Sequence, residues 1–244
     1  MKIALAQIRP AKGDVERNIL LHQRMIEGAI KKNADTIFFP EHSLSGYEPQ
    51  LAQKLASETN DPRLQVFQTL ADQHNISIGL SMPVRSEKGI YISMLFFQAR
   101  QAIQVYHKQR LHTDELPYFI KGNQQLLFDV NGTSIAPAIC YESLQMAHAD
   151  HAIQLGGQIY LASVAKAQKG IEKAIKHYPQ VAQTYGIPVL MVNSIGPCDD
   201  FVAAGQSGVW FKNGTASETL DVDQEGLLIY NTLNQNVTIV DWLQ

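Results

Sequence analysis

Short apolar runs alternate with long amphipathic segments in the first half of the chain, and this alternation most constrains its fold. Lys2–Ile8 and Thr36–Phe39 are predicted to be buried strands, because each is a short, mostly apolar run that ends at a proline or a polar residue. Between them, apolar residues at helical spacing predict a helix that Asp14 caps and that ends near Lys32. The alternation indicates an α/β fold with helices packed on the sheets.

Hairpin signals are interleaved with these elements, and they predict mixed rather than purely parallel sheets. Asn131-Gly132 is the strongest hairpin signal and Asn213-Gly214 is a second candidate. Pro179 predicts a kink or a break in the last helix. The other predicted strands are Ile76–Met82, Ile90–Phe97, Ala102–Tyr106, Leu126–Val130, Thr133–Ile139, Gln158–Leu161 and Pro188–Asn193, and the other predicted helices are Asp61–Asn75, Ser143–Leu155 and Gly170–Tyr185.

Composition narrows the class of protein. With 244 residues, 45% hydrophobic and 18% charged, we expect a folded chain with one domain, residues 1–244. A net charge of −3 gives no electrostatic footprint for nucleic acid. The N-terminal apolar run is too short for a signal peptide, and no window has the ~18–20 apolar residues of a membrane span. Two cysteines cannot form a disulfide scaffold, so we expect a cytoplasmic protein. From the net charge and the short apolar runs, we expect it to bind neither nucleic acid nor membranes.

Three reactive side chains stand where an apolar run ends: Glu41, Lys108 and Cys140. In layered α/β proteins such positions collect functional residues, because the sheet fixes the side chain while the loop leaves it open. Taken singly, each has an ordinary structural interpretation as a solvated turn carboxylate, a surface lysine or a buried small thiol.

Together, a thiol, a carboxylate and an ammonium are sufficient for acyl transfer through a thioester. A free thiol has a pKa of about 8.5 and is mostly protonated at neutral pH, so a carboxylate is needed to accept its proton. An ammonium favours the thiolate and then the oxyanion that forms on a carbonyl. The backbone N–H groups of the turn after Cys140 could supply a second oxyanion donor.

The segments around these residues resemble the motifs of the nitrilase, or carbon–nitrogen hydrolase, superfamily. Phe39–Tyr47 is similar to the glutamate motif Phe-Pro-Glu-Leu-x-x-x-Gly-Tyr, Tyr106–Leu111 to the lysine motif, and Ile139–Glu142 to the cysteine motif. Glu41 and Lys108 are 67 residues apart, and Lys108 and Cys140 are 32 apart, which is typical of that family. Glu115–Gly122 resembles the segment that carries a second active-site glutamate, and Asn193–Gly196 and Gly205–Ser207 also match.

The resemblance implies a four-layer α-β-β-α sandwich of two mixed sheets flanked by helices. It implies that Cys140 is the nucleophile and Glu41 the general base, and that Lys108 stabilises the tetrahedral intermediate together with the Tyr141 backbone N–H. Glu115 would position substrate or shuttle protons. It implies neither a metal nor an organic cofactor, and it implies a homodimer. The residues expected to contact substrate are Tyr47, Tyr141, Glu142, Ser163 and Asn193.

The flanks of the motifs depart from the family pattern. Many family amidases continue the cysteine motif with Tyr-Asp-Leu-Arg-Phe-Pro, whereas this chain has Tyr141–Met146 and lacks the arginine that often shapes the pocket. Ser163-Val164-Ala165 replaces a Ser-Ala-Trp-Pro-like segment. Glu142 has two interpretations, a fourth active-site carboxylate or an ion-pair partner outside the pocket, and the second is slightly favoured.

Several other residues are predicted to have structural roles only. His148 and His151 share a helical face but have no third metal ligand at suitable spacing, so a solvated face is expected. Cys198 is expected to be an exposed loop thiol. Phe201 and Trp210 are expected to make core or dimer contacts, and a solvated helix face is expected for Lys166, Lys169, Lys173 and Lys176.

The leading functional hypothesis is a thiol amidohydrolase that cleaves a small linear amide, of the ω-amide or N-carbamoyl type, to a carboxylate and ammonia or an amine. A nitrilase acting on C≡N would use the same three residues and is an alternative. A non-catalytic, dimeric binding member of the family is another alternative, which the altered flanks permit.

Overall fold

Two mixed β-sheets form the framework of the chain, and the computed structural model describes residues 1–241. The helices are α1 (Val15–Lys31), α2 (Ala52–Leu55), α3 (Gln65–His74), α4 (Met146–Gln154) and α5 (Gln168–Tyr185). The strands are β1 (Lys2–Gln7), β2 (Thr36–Phe38), β3 (Ser77–Ser86), β4 (Gly89–Phe97), β5 (Gln104–His107), β6 (Phe128–Val130), β7 (Thr133–Ile139), β8 (Ile159–Val164), β9 (Val189–Asn193), β10 (Ile195–Cys198), β11 (Phe201–Ala204), β12 (Gly208–Trp210), β13 (Gly226–Asn231) and β14 (Asn236–Asp241).

Each large sheet has parallel strands at its centre and antiparallel strands at its edges. The first sheet has the order β14-β13-β1-β2-β3-β4-β5, in which β1, β2 and β3 are parallel. The second has the order β12-β9-β8-β7-β6, in which β7, β8 and β9 are parallel. Strands β10 and β11 form a separate hairpin. The prediction of mixed sheets is therefore confirmed.

The strands bury both faces, and this places the sheets between two layers of helices. In β1, Ile3 and Leu5 join the core between the sheets, whereas Ala4 and Ala6 face the opposite core beneath α1 and α3. This follows from the two-residue period of a strand. Phe96 stacks on Phe128 with ring centroids 4.3 Å apart, which joins the two sheets directly.

Helices cover the outer face of each sheet. Met25 of α1 and Phe67 of α3 are fully buried against the first sheet. Ala149 of α4 and Tyr178 of α5 are fully buried against the second sheet. The four-layer α-β-β-α arrangement is confirmed. None of the helices within residues 1–241 combines the length and the apolar character that a membrane crossing needs.

Local predictions are confirmed at most positions. Asp14 caps α1, since its side chain accepts a hydrogen bond from Arg17 N at 3.1 Å. The hairpin at Asn131-Gly132 joins β6 to β7. By contrast, α5 runs through Pro179 as one helix. The missing N–H of Pro179 deprives the carbonyl of Ile175, and Ile175 lies on the exposed side, where water can satisfy that group.

The last third of the chain differs most from the predictions. Asn213-Gly214 forms a tight turn that closes through the single bridge between Trp210 and Ala216, not through a hairpin of two full strands. The β10–β11 hairpin was not predicted. It turns at Asp199 and Asp200, with Asp199 at a positive φ of 41°, a conformation that aspartate tolerates better than most residues.

Candidate active site

The three reactive residues follow strands of different sheets, and the fold brings them to one end of the sandwich. Glu41 lies shortly after β2 and Lys108 directly after β5, both in the first sheet. Cys140 lies directly after β7 in the second sheet. The hydroxyl of Ser163 donates to the carbonyl of Phe39 at 2.9 Å, which ties the sheets together at this end.

Lys108 is the centre of the polar cluster. Its ammonium donates to Glu41 Oε1 at 2.7 Å and to Glu115 Oε1 at 2.5 Å. The three side chains are at most 1% exposed. One ammonium between two buried carboxylates is a geometry that holds all three groups in place, since unpaired charges are costly to bury.

The loop that carries Glu115 is fixed on both sides of the carboxylate. The Tyr47 hydroxyl donates to Glu115 Oε1 at 3.0 Å, and the His112 N–H donates to Oε2 at 2.8 Å. Gly122 closes the loop by donating its N–H to the Lys108 carbonyl at 2.8 Å. A Cβ at this glycine would lie 2.3 Å from the His107 carbonyl oxygen, so the close approach requires glycine.

Cys140 occupies a strained turn between β7 and the helical turn that follows. Its φ is 48°, in the left-handed region that residues with a Cβ rarely adopt. Its N–H donates to the Ser163 carbonyl at 3.0 Å, and its own carbonyl accepts from Ser143 Oγ at 2.6 Å. Such strain persists only where the surroundings hold it, and it is typical of functional positions.

The Cys140 side chain lies at a cavity of about 670 Å³. Glu41 and Lys108 are not among the lining residues and are fully buried. The wall is mixed in charge and partly aromatic, and it includes Tyr47, Tyr141, Phe201, Asp114, Glu115, Asp200, His112, Lys166, Lys173 and His177. A cavity of this size accommodates a small molecule.

Glu41 has the electrostatics of a base that works near neutral pH. Burial raises the pKa of Glu41 to about 7, against the lowering effect of Lys108. The nearby Glu115 raises this pKa further, and the Cys140 thiol lowers it. Glu41 Oε2 accepts no hydrogen bond from any group within residues 1–241, so this oxygen is available to take a proton.

The thiol and the ammonium are both in their protonated forms at rest. Burial and the Glu41 carboxylate raise the pKa of Cys140 to about 11, while Lys166 and Lys108 lower it. Burial disfavours the charged form of Lys108, but Glu41 and Glu115 outweigh this effect and raise its pKa. Deprotonation of the thiol therefore requires a neighbouring base.

The residues expected to contact substrate divide into two groups. Tyr47 and Tyr141 line the cavity, and the Tyr141 ring packs edge-on against His112. Glu142, Ser163 and Asn193 do not line it, and their side chains are fully buried in contacts with other protein groups. We therefore correct their assignment from substrate contacts to positioning residues.

Glu142 lies outside the cavity wall, and His148 Nε2 is 3.7 Å from its Oε1. Because burial lowers the pKa of His148 to about 4, this contact is not an ion pair at neutral pH. Glu142 Oε1 accepts from the Tyr106 hydroxyl at 2.6 Å and from the Ile139 N–H at 2.8 Å. Its Oε2 accepts from the Gln109 N–H at 2.7 Å and from the Arg110 N–H at 3.1 Å. Four hydrogen bonds explain how a fully buried carboxylate is tolerated.

Asn193 positions the chain after β8. Its Oδ1 accepts from the Lys166 N–H at 2.8 Å, and its Nδ2 donates to the carbonyls of Lys166 at 3.1 Å and Gly205 at 2.8 Å. The asparagine thereby holds Lys166 from both sides of its backbone. Ser163 acts similarly through the Phe39 carbonyl, near the start of the turn that carries Glu41.

Lys166, Lys173, His177 and Phe201 line the cavity and were not predicted to do so. Lys166 is only 5% exposed, and thus does not belong to a solvated helix face. It stands two residues after Val164, the last residue of β8, so the strand-end signal that identifies Cys140 also applies to it. The prediction of a solvated helix face is therefore wrong for Lys166.

Two further expectations are corrected by burial. Cys198 is 2% exposed on β10 and packs with Tyr47 and Phe201, so it is not an exposed thiol. His148 is buried, and its ring bonds to the hydroxyls of Tyr106 at 3.0 Å and Tyr160 at 2.8 Å. Burial lowers the pKa of His148 to about 4. Within residues 1–241, no cluster of His, Cys, Asp or Glu is arranged to hold a metal ion.

Curated relatives of the chain include glutamine-dependent NAD(+) synthetases and an omega-amidase. The glutamine-dependent NAD(+) synthetase of Acinetobacter baylyi is 28% identical over 222 residues, which cover 84% of this chain and 39% of that protein. The omega-amidase YafV of Escherichia coli is 26% identical over 144 residues, covering 58% of this chain and 55% of that protein. The chain thus spans about two-fifths of the length of the synthetases that it matches.

The fold is shared with solved amidase structures. A mutant of the amidase from Nesterenkonia sp. AN1, with acrylamide added at its active-site cysteine, superposes with a TM-score of 0.87 at 23% identity. The match covers 95% of this chain and 92% of that one. A family model described as carbon–nitrogen hydrolase matches residues 2–238. Because this match spans nearly the whole sequence, the chain belongs to the carbon–nitrogen hydrolase family.

Proposed function

We propose that the protein is a cysteine-nucleophile amidohydrolase that cleaves the C–N bond of a small linear amide. The observation that carries the proposal is the position of Lys108 Nζ, 2.7 Å from Glu41 Oε1 and 2.5 Å from Glu115 Oε1, beside the thiol of Cys140. A buried base and a buried ammonium thus lie next to a thiol that lines the cavity. This set supplies the three elements of acyl transfer, namely a nucleophile, a proton acceptor and a charge for the oxyanion.

Attack begins with transfer of the Cys140 proton to Glu41 Oε2. The thiolate then forms an S–C bond to the amide carbon, and the carbonyl electron pair moves to the oxygen. Lys108 and the Tyr141 backbone N–H stabilise this oxyanion. Tyr141 precedes a short helical turn at Glu142–Leu144, and the first N–H groups of such a turn have no acceptor within it.

Collapse of the tetrahedral intermediate breaks the C–N bond. Glu41 returns its proton to the leaving nitrogen, which departs as ammonia or an amine and leaves a thioester on Cys140. Glu41 then takes a proton from water, whose oxygen attacks the thioester carbon. The C–S bond breaks, the carboxylic acid product leaves, and the thiol recovers its proton. A base with a pKa of about 7 suits both directions of proton transfer.

Glu115 acts on this chemistry through Lys108. It keeps the ammonium charged and holds it against Glu41, and it also lines the cavity. Its second oxygen is held by the His112 N–H. We infer that Glu115 orients Lys108 and contacts the substrate amide.

The relatives and the cavity support the proposed substrate class. An ω-amide is favoured by the omega-amidase relative, and the cavity of about 670 Å³ fits a short linear amide. Glutamine is a sensible test compound because the synthetase relatives are glutamine-dependent by name. N-carbamoyl compounds and nitriles complete the set, since a nitrilase would use the same residues.

A non-catalytic binding role is less well supported. Glu41 is buried with one oxygen that no group within residues 1–241 satisfies. Such a group costs stability, and a site without chemistry would have no reason to keep it.

The experiment is ammonia release from ω-amides, simple amides, glutamine, N-carbamoyl compounds and nitriles, with wild type and Cys140→Ala side by side. Release by the wild type alone is the expected result. Equal release by both proteins would overturn the proposal. Cys198→Ser serves as the matched control, since it removes the other thiol and should retain the activity.

The proposal includes a homodimer in the cytoplasm. The resemblance to the family supports the dimer, and the two free cysteines of residues 1–241 suit a reducing compartment. Light scattering coupled to size exclusion measures the oligomeric state, and a monomer at working concentration would contradict the dimer.

A further inference from the structure

A second lysine ammonium lies against the nucleophile. Lys166 follows β8, and its Nζ lies 3.7 Å from Cys140 Sγ and 3.3 Å from the Cys140 carbonyl oxygen. The residue is 5% exposed, so the charge is largely removed from water. In this position the ammonium touches the atom that reacts.

Lys166 differs from Lys108 in having no carboxylate partner. Lys108 forms ion pairs with Glu41 and Glu115. Within residues 1–241, no carboxylate oxygen lies within ion-pair distance of Lys166 Nζ. A buried and unpaired cation is unfavourable, and a nearby anion would stabilise it.

The charges around the thiol indicate that the anion stabilised by Lys166 is the Cys140 thiolate. With Glu41 and Glu115 ionised and Lys108 protonated, the buried cluster carries one net negative charge. Transfer of the thiol proton to Glu41 leaves that sum unchanged and moves a negative charge onto sulfur. Lys166 brings the total charge to zero, and it lowers the pKa of Cys140 more than Lys108 does. Lys108 is already neutralised by its two partners.

We propose that Lys166 is a second catalytic ammonium, which stabilises the Cys140 thiolate while Lys108 serves the oxyanion. The inference deepens the proposed function and rests on it, because it assumes that Cys140 is the nucleophile. The two lysines then stabilise two different anions. Lys108 is held by carboxylates on the side of the base, and Lys166 is held against the sulfur from the second sheet.

The surroundings of Lys166 are built to hold it there. Asn193 binds both the N–H and the carbonyl of Lys166, at 2.8 and 3.1 Å. The side chain passes over the first turn of α5 at Gly170. A Cβ at Gly170 would lie 3.0 Å from Lys166 Cβ and 3.3 Å from Cγ, so the glycine leaves room for the lysine stem.

The test measures thiolate formation without any substrate. Cys140 is alkylated with iodoacetamide at fixed pH, below the thiol pKa, and the modified site is read by peptide mass. Lys166→Met, which keeps most of the unbranched stem and removes the charge, should react about tenfold more slowly, equivalent to a thiol pKa about one unit higher. Lys166→Arg should restore most of the rate because it restores the charge.

Matched variants separate charge at the sulfur from general effects. Lys176→Met removes an exposed charge from α5 outside the cavity wall, and it should alkylate at the wild-type rate. Gly170→Ala keeps the Lys166 charge but displaces its stem, and it should slow alkylation too. This variant also carries the test if Lys166→Met does not fold.

Two results would overturn the inference. One is alkylation of Lys166→Met at the wild-type rate, and the other is an arginine variant no faster than the methionine variant. Failure of the proposed function would be visible separately. In that case no amide, carbamoyl compound or nitrile would be hydrolysed by the wild type, while the alkylation rates would still respond to Lys166.

Discussion

The hydroxyl of Tyr106 donates to Glu142 Oε1 at 2.6 Å, and this bond joins the two sheets directly behind the reactive residues. Tyr106 lies on β5, two residues before Lys108, and Glu142 lies two residues after Cys140. The same carboxylate accepts the backbone N–H groups of Ile139 and Gln109. One buried side chain thus sets the distance between the lysine loop and the cysteine turn.

Removal of this carboxylate should destabilise the fold and disorder the site. Glu142→Ala leaves the N–H groups of Ile139, Gln109 and Arg110 without their acceptor. We expect a loss of at least about 3 kcal/mol in the free energy of unfolding, measured by urea titration. Tyr106→Phe, which removes one donor only, should lose about 1–2 kcal/mol.

Tyr118→Phe is the matched control for the second variant, because Tyr118 is partly exposed. Its unfolding free energy should stay within about 0.5 kcal/mol of wild type. Equal stability of Glu142→Ala and wild type would contradict the positioning role of Glu142.

The rate of amide hydrolysis should rise with pH through about 7. Burial, opposed by Lys108, raises the pKa of Glu41 to about 7, and only the ionised carboxylate can accept the thiol proton. The plot of kcat/KM against pH should therefore fall on the acid side of this value. Glu41→Gln should lose this limb and about 100- to 10,000-fold in rate, while exposed Glu58→Gln should retain both. An acid limb that survives in Glu41→Gln would assign the titration to another group.

The two thiols should react at different rates with a neutral alkylating reagent. Cys140 lies at the cavity and burial raises its pKa to about 11, whereas Cys198 is 2% exposed and burial raises its pKa to about 12. The lower pKa favours Cys140, and its access to the cavity adds to this. Cys140→Ala should abolish the fast phase and Cys198→Ser should leave it. Persistence of the fast phase in Cys140→Ala would identify Cys198 as the accessible thiol.

Acidification should destabilise the protein through buried histidine. Burial lowers the pKa of His22 to about 4, and its ring bonds to the Asn18 carbonyl and the Ser43 hydroxyl. The unfolded chain binds the proton near pH 6.5, so stability falls as pH drops from about 6.5 towards 4. The melting temperature of His22→Gln should decline less steeply over this range than that of wild type. Exposed His74→Gln should follow wild type, and identical slopes for all three proteins would refute this origin.

Local patterns in the sequence identified the elements that carry chemistry. Glu41, Lys108 and Cys140 were found because each follows a strongly apolar run, and their motifs resemble one family at its usual separations. Most strands and helices of the first half were predicted nearly to their ends, since they have a clear period and a cap or proline at a boundary. The short helix α2 was not predicted, and β3 continues to Ser86, beyond its predicted end at Met82. The turn residues Asn131-Gly132 correctly predicted the hairpin between β6 and β7.

Only the tertiary structure decided which neighbours of these motifs face the cavity. Glu142 and Lys166 both follow strands of the second sheet, yet one is buried among backbone donors and the other lies against the thiol. Cys198 is buried because the β10–β11 hairpin that carries it packs against Tyr47 and Ala165. A side chain's direction after a strand depends on contacts with distant segments, such as Asn193 with Lys166 or Tyr106 with Glu142. The spacing of residues along the chain does not predict these contacts, because they form only when the layers pack together.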